Sequence, residues 1–309
     1  MLKSYKTRVL CIYFFAVIFT VTAIVGSLTD SKGANLGTKT TVLLNPRYVP
    51  SVQTIKLSRE KTNELFEIEK TDFGYRGIFG NIIFPVNTAK VNELLLIASS
   101  TRKLYTISDN YSAWNSLSID DSSAVVLSFF GTEEPTVRPT HEFSRLYFGS
   151  EDFSRTNIML RTADSPNVYR TQNDFYSFLQ FYPSAWSQAY IVSDYIKNGK
   201  TEQDVQSVSF IQNGIETKLI SGDENFISAT QTIFSIQSFN IVPATVVTDN
   251  VFSQVRIVFS GNQTAEFSVY VGNNNTYYLV PVSRDLSYAL EVSAQTYERI
   301  PNAFTATRR

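Results

Sequence analysis

VQTIKLSRE (Val52 to Glu60) and ELFEIEK (Glu64 to Lys70) decide the fold. Ile55, Leu57, Phe66 and Ile68 recur at every second position, with Lys56, Glu67 and Glu69 between them. Side chains alternate across an extended strand, so this pattern predicts a hairpin with one apolar and one wet face. The period changes from Asn87 to Lys103, where Val91, Leu94, Leu95 and Ala98 form a helical stripe that ends at Arg102 and Lys103. Cations suit the C-terminal end of a helix, so an amphipathic helix lying on the sheet is expected there. SSAVVLSFF (Ser122 to Phe130) is almost continuously apolar and reads as a central strand. Strands are expected next at SRLYFG (Ser144 to Gly149), NIMLR (Asn157 to Arg161) and NVYRT (Asn167 to Thr171). A short helix, DFYSFLQFY, should follow from Asp174 and stop before Pro183.

The second half repeats this outline. VQSVSF at Val205 echoes VQTIKL, Asn213-Gly214 supplies a hairpin turn, and Ser228 to Phe239 carries Ala229, Ile233 and Ile236 at helical spacing. QVRIVFSG then aligns with the Ser122 strand and FSVYVGN with SRLYFGS, while TYYLVPVSRDLSYAL aligns with NVYRTQNDFYSFL. In that last pair Asp174 and Asp285 read as helix N-caps, accepting from first-turn amides. The expected architecture is α+β: two tandem antiparallel-sheet-plus-helix units, 42–190 and a shorter 205–300, joined near Ser187 to Asp204. A flexible tether (29–41) precedes them and a tail (301–309) follows.

Ahead of the tether, Val9 to Leu28 runs for twenty residues without a charge, after Lys3, Lys6 and Arg8. A helix of this length crosses a hydrocarbon layer of about 30 Å once, so residues 1–28 are expected to be a basic cytoplasmic end and a transmembrane helix. The basic flank points to a cytoplasmic N-terminus, an extracytoplasmic body and single-pass insertion in the cell membrane. A cleaved signal peptide is the alternative, but its apolar core usually spans only about 7–15 residues. Ala16, Thr20 and Ala23 make a small-residue stripe on this helix, a candidate face for close approach by a partner helix.

Composition narrows the function classes. A net charge of -1 gives no electrostatic case for nucleic acid. Cys11, the single cysteine, lies in the apolar run, so the body has no internal disulfide. One histidine and no cysteine outside that run leave no transition-metal ligand set, and no metal or cofactor is expected. His141 stands without a Gly-x-Ser-x-Gly turn. Ser100-x-x-Lys103 followed by Ser108-Asp109-Asn110 imitates two penicillin-binding motifs, but no Lys-Thr-Gly completes them. The acidic pairs Asp120/Asp121, Glu133/Glu134 and Glu151/Asp152 read as solvated turns, and no Gly-rich phosphate loop occurs. Phe175 to Trp186 reads as core helix and packing aromatics, with a binding platform as the other reading. No catalytic residue is expected.

The order of the elements, with FPVNTAKVNELLLIASSTRKLY, RLYFGSED and NIMLRTADSPNVYRTQNDFYSFL, resembles a bacterial membrane-anchored family of unknown function. That family occurs beside gliding-motility-type ABC exporters as an auxiliary subunit. The resemblance covers about residues 9–190 and extends weakly to about 300; FGYRGIFGNIIFP stands where the family usually carries a Trp. It implies a non-enzymatic accessory subunit, with ABC permease and ATPase chains as partners. The alternative is a free-standing envelope structural or glycan-binding module.

Overall fold

The computed structural model describes residues 37–132, 141–188, 190–247 and 250–305. In chain order the first part contains strands β1 (Thr38–Thr41), β2 (Val52–Arg59), β3 (Glu64–Thr71), β4 (Gly74–Phe79) and β5 (Ile82–Val86), and helix α1 (Thr88–Ser99). It continues through β6 (Arg102–Ser108), β7 (Val125–Gly131), β8 (His141–Glu151), β9 (Asn157–Thr162) and β10 (Val168–Gln172). After the short helix α2 (Asp194–Lys197) come β11 (Val205–Gln212), β12 (Ile215–Ile220), helix α3 (Phe226–Ser235) and β13 (Ile241–Pro243). The chain then runs through β14 (Ser253–Phe259), β15 (Thr264–Val271), β16 (Thr276–Pro281), β17 (Tyr288–Ser293) and helix α4 (Ala294–Thr305).

Two antiparallel sheets hold the seventeen strands of the described residues, ordered β1-β6-β10-β9-β8-β7-β2-β3-β4-β5 and β12-β11-β14-β15-β16-β17-β13. Seven strands in each follow one path: a hairpin, a helix, a strand that crosses to the far side, and a four-strand meander that starts beside the hairpin and ends against the crossed strand. β6-β10-β9-β8-β7-β2-β3 thus corresponds strand for strand to β13-β17-β16-β15-β14-β11-β12. The first sheet adds β1 beyond β6 and the β4–β5 hairpin beyond β3.

The expected α+β class is corrected: the protein is mostly β, two large sheets with small helices against them. DFYSFLQFY makes only a single 3-10 turn at Tyr176–Phe178, because Phe175, Phe178 and Trp186 are drawn separately into the core. Where the repeat set a second helix after Asp285, β17 runs instead. In topology TYYLVP (β16) is the counterpart of β9 rather than β10, so the last pairing of the repeat was one strand out of step. Neither Asp174 nor Asp285 caps a helix. No helix among the described residues is long and apolar enough to cross a membrane. The expected span Val9 to Leu28, with Ala16, Thr20 and Ala23, lies outside the described residues, and the transmembrane helix is not part of the observed fold.

The alternation of β2 and β3 forms as the periodicity requires, with Leu57 opposite Phe66 and Ile55 opposite Ile68. α1 starts at Asn87, whose Oδ1 accepts from the Ala89 and Lys90 amides, and buries Val91, Leu94, Leu95 and Ala98. α3 and α4 cover the second sheet through Ala229 and Ile233, and Tyr297, Ile300 and Phe304. One apolar core runs through both sheets. Ser287 joins them at the β5 edge: its N–H donates to the Ile83 carbonyl (2.9 Å), its Oγ donates to the Asn81 carbonyl (2.8 Å), and the Ile83 amide donates to that Oγ (3.1 Å).

On the outer face of the first sheet, residues 111–124 fold back over a satellite cluster of Ile119, Ala124, Tyr147 and Val168. Arg161, its side chain 3% exposed, is clamped there between the rings of Trp114 (3.9 Å) and Tyr147 (3.4 Å).

Candidate functional site

Pairing of β6 with β10, and of β10 with β9, brings three strand ends to one side of the first sheet. There the end of α1, the start of β6, the turn before β9 and the end of β10 line a cleft of about 850 Å³. That volume lies in the range of small-molecule sites, about 300–1,000 Å³.

Arg102 forms its floor. The guanidinium, 8% exposed, holds Asp174 with two parallel bonds, Nη1 to Oδ1 at 3.1 Å and Nη2 to Oδ2 at 2.8 Å. Nη1 also donates to Thr171 Oγ1 (3.2 Å), Nη2 to the Ile97 carbonyl (3.4 Å), and the plane lies 4.7 Å from the Phe175 ring. Such a fork fixes two segments 72 residues apart and neutralises its own charge. Its Nε is buried and has no partner.

Asn173 forms the opposite wall. Its Nδ2 donates to Glu151 Oε1 (3.0 Å) and to the Arg155 carbonyl (3.2 Å), while its Oδ1 is buried and has no partner. The β8–β9 turn beside it is organised by Asp152, which accepts from Ser154 Oγ, the Thr156 amide and Asn157 Nδ2 (2.7 Å). The Asn157 side-chain amide, with backbone donors behind it, holds the Asp152 carboxyl below the usual carboxylate range. Tyr105 stands half-exposed in the lining, with Lys103 Nζ 5.4 Å and Arg170 Cζ 5.7 Å from its ring.

The rest of the lining sets the hydroxyls and amides of Ser100, Thr101, Thr156, Asn157 and Gln172 beside Leu96, Ile97, Lys103 and Arg155. No histidine or cysteine is in it, and no nucleophile stands next to a base. Among the described residues no group of three or more His, Cys, Asp or Glu is placed to hold a metal ion.

The residues weighed in the sequence are scattered. His141 starts β8 as an exposed residue against Phe143. Ser100 Oγ donates to the Leu96 carbonyl, and Ser108 and Asn110 shape a turn, so the apparent penicillin-binding pattern is helix-end and loop chemistry. Asp120 accepts from the Ser122 hydroxyl and from the Ser122 and Ser123 amides, which lowers its pKa, the Ser122 bond contributing most. Asp121 pairs with Arg161. Glu151 and Asp152 diverge, one to Asn173 and one into its own turn; Glu133 and Glu134 lie outside the described residues. Arg102 and Asp174 do meet, though local pattern read them as a helix-end cation and a helix cap. No protein-family model matches the chain, and neither a curated protein nor a solved structure is similar to it.

Proposed function

We propose that this protein is a non-enzymatic binding module of the cell envelope whose cleft takes a neutral, hydroxyl-rich ligand, a glycan. One observation carries this reading: the cleft brings the amides of Asn157, Gln172 and Asn173 and the hydroxyls of Ser100, Thr101 and Thr156 together beside the half-exposed Tyr105 ring. The amide and hydroxyl lining and the Tyr105 ring suit sugar edges and faces. The apolar run Val9 to Leu28 supports a place at the cell membrane, body outward.

The test is calorimetric titration of the full chain with a panel of neutral oligosaccharides, cell-wall fragments included. Binding is expected, with Asn173→Ala and Tyr105→Ala each weakening it about tenfold, the equivalent of about 1.4 kcal/mol. No affinity for any member, or affinity indifferent to both substitutions, sinks the glycan reading.

A companion reading, an accessory subunit of an ABC-type transporter that meets the permease through Ala16, Thr20 and Ala23 and the ATPase as part of the same complex, rests on the family resemblance. Under it, mild-detergent purification brings down both chains, and leucine at the three positions releases them. A protein that emerges alone removes that reading and leaves the cleft untouched.

A further inference from the structure

β12 is the outer strand of the second sheet, and the burial of its residues is low on both faces. Its counterpart in the first sheet, β3, is not an edge: β4 pairs along its outer side, and Arg76 of β4 meets Glu69 of β3 at 2.8 Å. Among the described residues, the shared path therefore leaves uncovered in one sheet the side that the same chain covers in the other.

The chemistry of that edge selects its occupant. The Asn213-Gly214 turn, with φ of 52° and 77°, closes the hairpin on Gln212 and Ile215, and the Ser221 amide donates to the Gln206 carbonyl. In an antiparallel ladder alternate residues turn their backbone groups to the partner. Odd-numbered residues of β12 thus face β11, while Glu216 and Lys218 point their N–H and C=O outward. The next outward amide, Ile220, is already taken by Asp223 Oδ2 at 2.7 Å, which ends the open edge. Neither Glu216 nor Lys218 forms an ion pair among the described residues.

We infer that β12 pairs antiparallel with β12 of a second copy of this chain, about a two-fold axis at Thr217. In this register Glu216 faces Lys218 of the other copy twice, and four main-chain hydrogen bonds join the outward groups. On the opposite face Ile215, 72% exposed, meets the other copy's Leu219, which already packs on the core. Registers centred on Glu216 or Lys218 set like charges face to face, and half-residue registers oppose outward to inward backbone groups. A lysine alone on an edge discourages pairing; a glutamate two residues away turns the same charge into a self-complementary pattern.

Cysteine cross-linking of the full chain carrying Cys11→Ser tests the register, since no other thiol remains. Thr217→Cys lies on the axis in a non-hydrogen-bonded pair, where Cα atoms stand about 4.5 Å apart, within disulfide reach. It is expected to give a covalent dimer on mild oxidation, while Ile215→Cys, opposite Leu219, does not. Lys218→Pro removes only an outward N–H, so it keeps the β11 ladder and abolishes the cross-link at 217. Glu216→Lys lowers the cross-link yield about tenfold, and Glu216→Lys combined with Lys218→Glu restores it. No cross-link at 217, equal yields at 215 and 217, or a yield that survives Lys218→Pro overturns the inference.

Discussion

Trp186→Ala is expected to destabilise the protein by about 3–5 kcal/mol, the range for removing a large buried aromatic. The indole is 1% exposed, with ring centroids 5.5 Å from Phe66 and 6.1 Å from Phe178, and Lys90 Nζ 5.0 Å over its face. Nε1–H donates to the Gln180 carbonyl at 2.8 Å, and the Trp186 carbonyl accepts from Asn87, the residue that caps α1. Truncation leaves a void between the β3 face and the 175–186 segment and strands a carbonyl. Burial pushes the Lys90 ammonium down in pKa, with Glu93 opposing, and its bond to the Ala185 carbonyl ties the helix to the same segment. Equilibrium urea unfolding, with Trp186→Phe as a milder companion, measures the effect. A loss below about 1 kcal/mol would show that the segment repacks and that Trp186 is no keystone.

Arg161→Ala is the second large effect, about 2–4 kcal/mol, and it should be local in its symptoms. Two ring faces hold the guanidinium, Nε donates to the Ile119 carbonyl at 2.8 Å, and Nη2 reaches Asp121. Each ring contact is worth about 0.5–2 kcal/mol and a charged hydrogen bond about 1.5–3, before the entropy of ordering is subtracted. Asp121 is 71% exposed, so the ion pair itself is screened and Asp121→Asn should cost under about 1 kcal/mol. Lysine should not rescue, because the site grips a plane. Limited proteolysis within 111–124, compared across the three variants, is the readout. Equal protection in Arg161→Ala and wild type would mean that Trp114, through its Nε1 bond to the Pro166 carbonyl, holds the segment unaided.

What the residues disclose in advance depends on how local the physics is. Ile55, Leu57, Phe66 and Ile68 alternate within one hairpin, and Val91, Leu94, Leu95 and Ala98 repeat within one helix, so both faces could be read directly. β4 and β5, in GYRGIF and IIFPV, escaped because glycines and a proline interrupt the alternation. Pro301 lies inside α4 and reads as a stop, although Tyr297, Ile300 and Phe304 carry the stripe past it. Phe175 and Phe178 stand at helical spacing, yet contacts with Phe148 and Trp186 consume them one by one. The cleft was the least legible part. Arg102 and Asp174 are 72 residues apart, and only sheet order makes them neighbours.

The shared strand path also fixes an order in time. In both units the strand after the helix crosses the sheet and finds its meander partner only when the last meander strand exists: β6 waits for β10, and β13 for β17. On a ribosome emitting the chain from its N-terminus, β13 lacks a sheet partner among the described residues until Tyr288 to Leu290 emerge, because β17 is its only neighbour there. β6 can meanwhile rest against β1, already made. The first unit thus carries its own placeholder during synthesis, and the second stays open on that side almost to the end of the described chain.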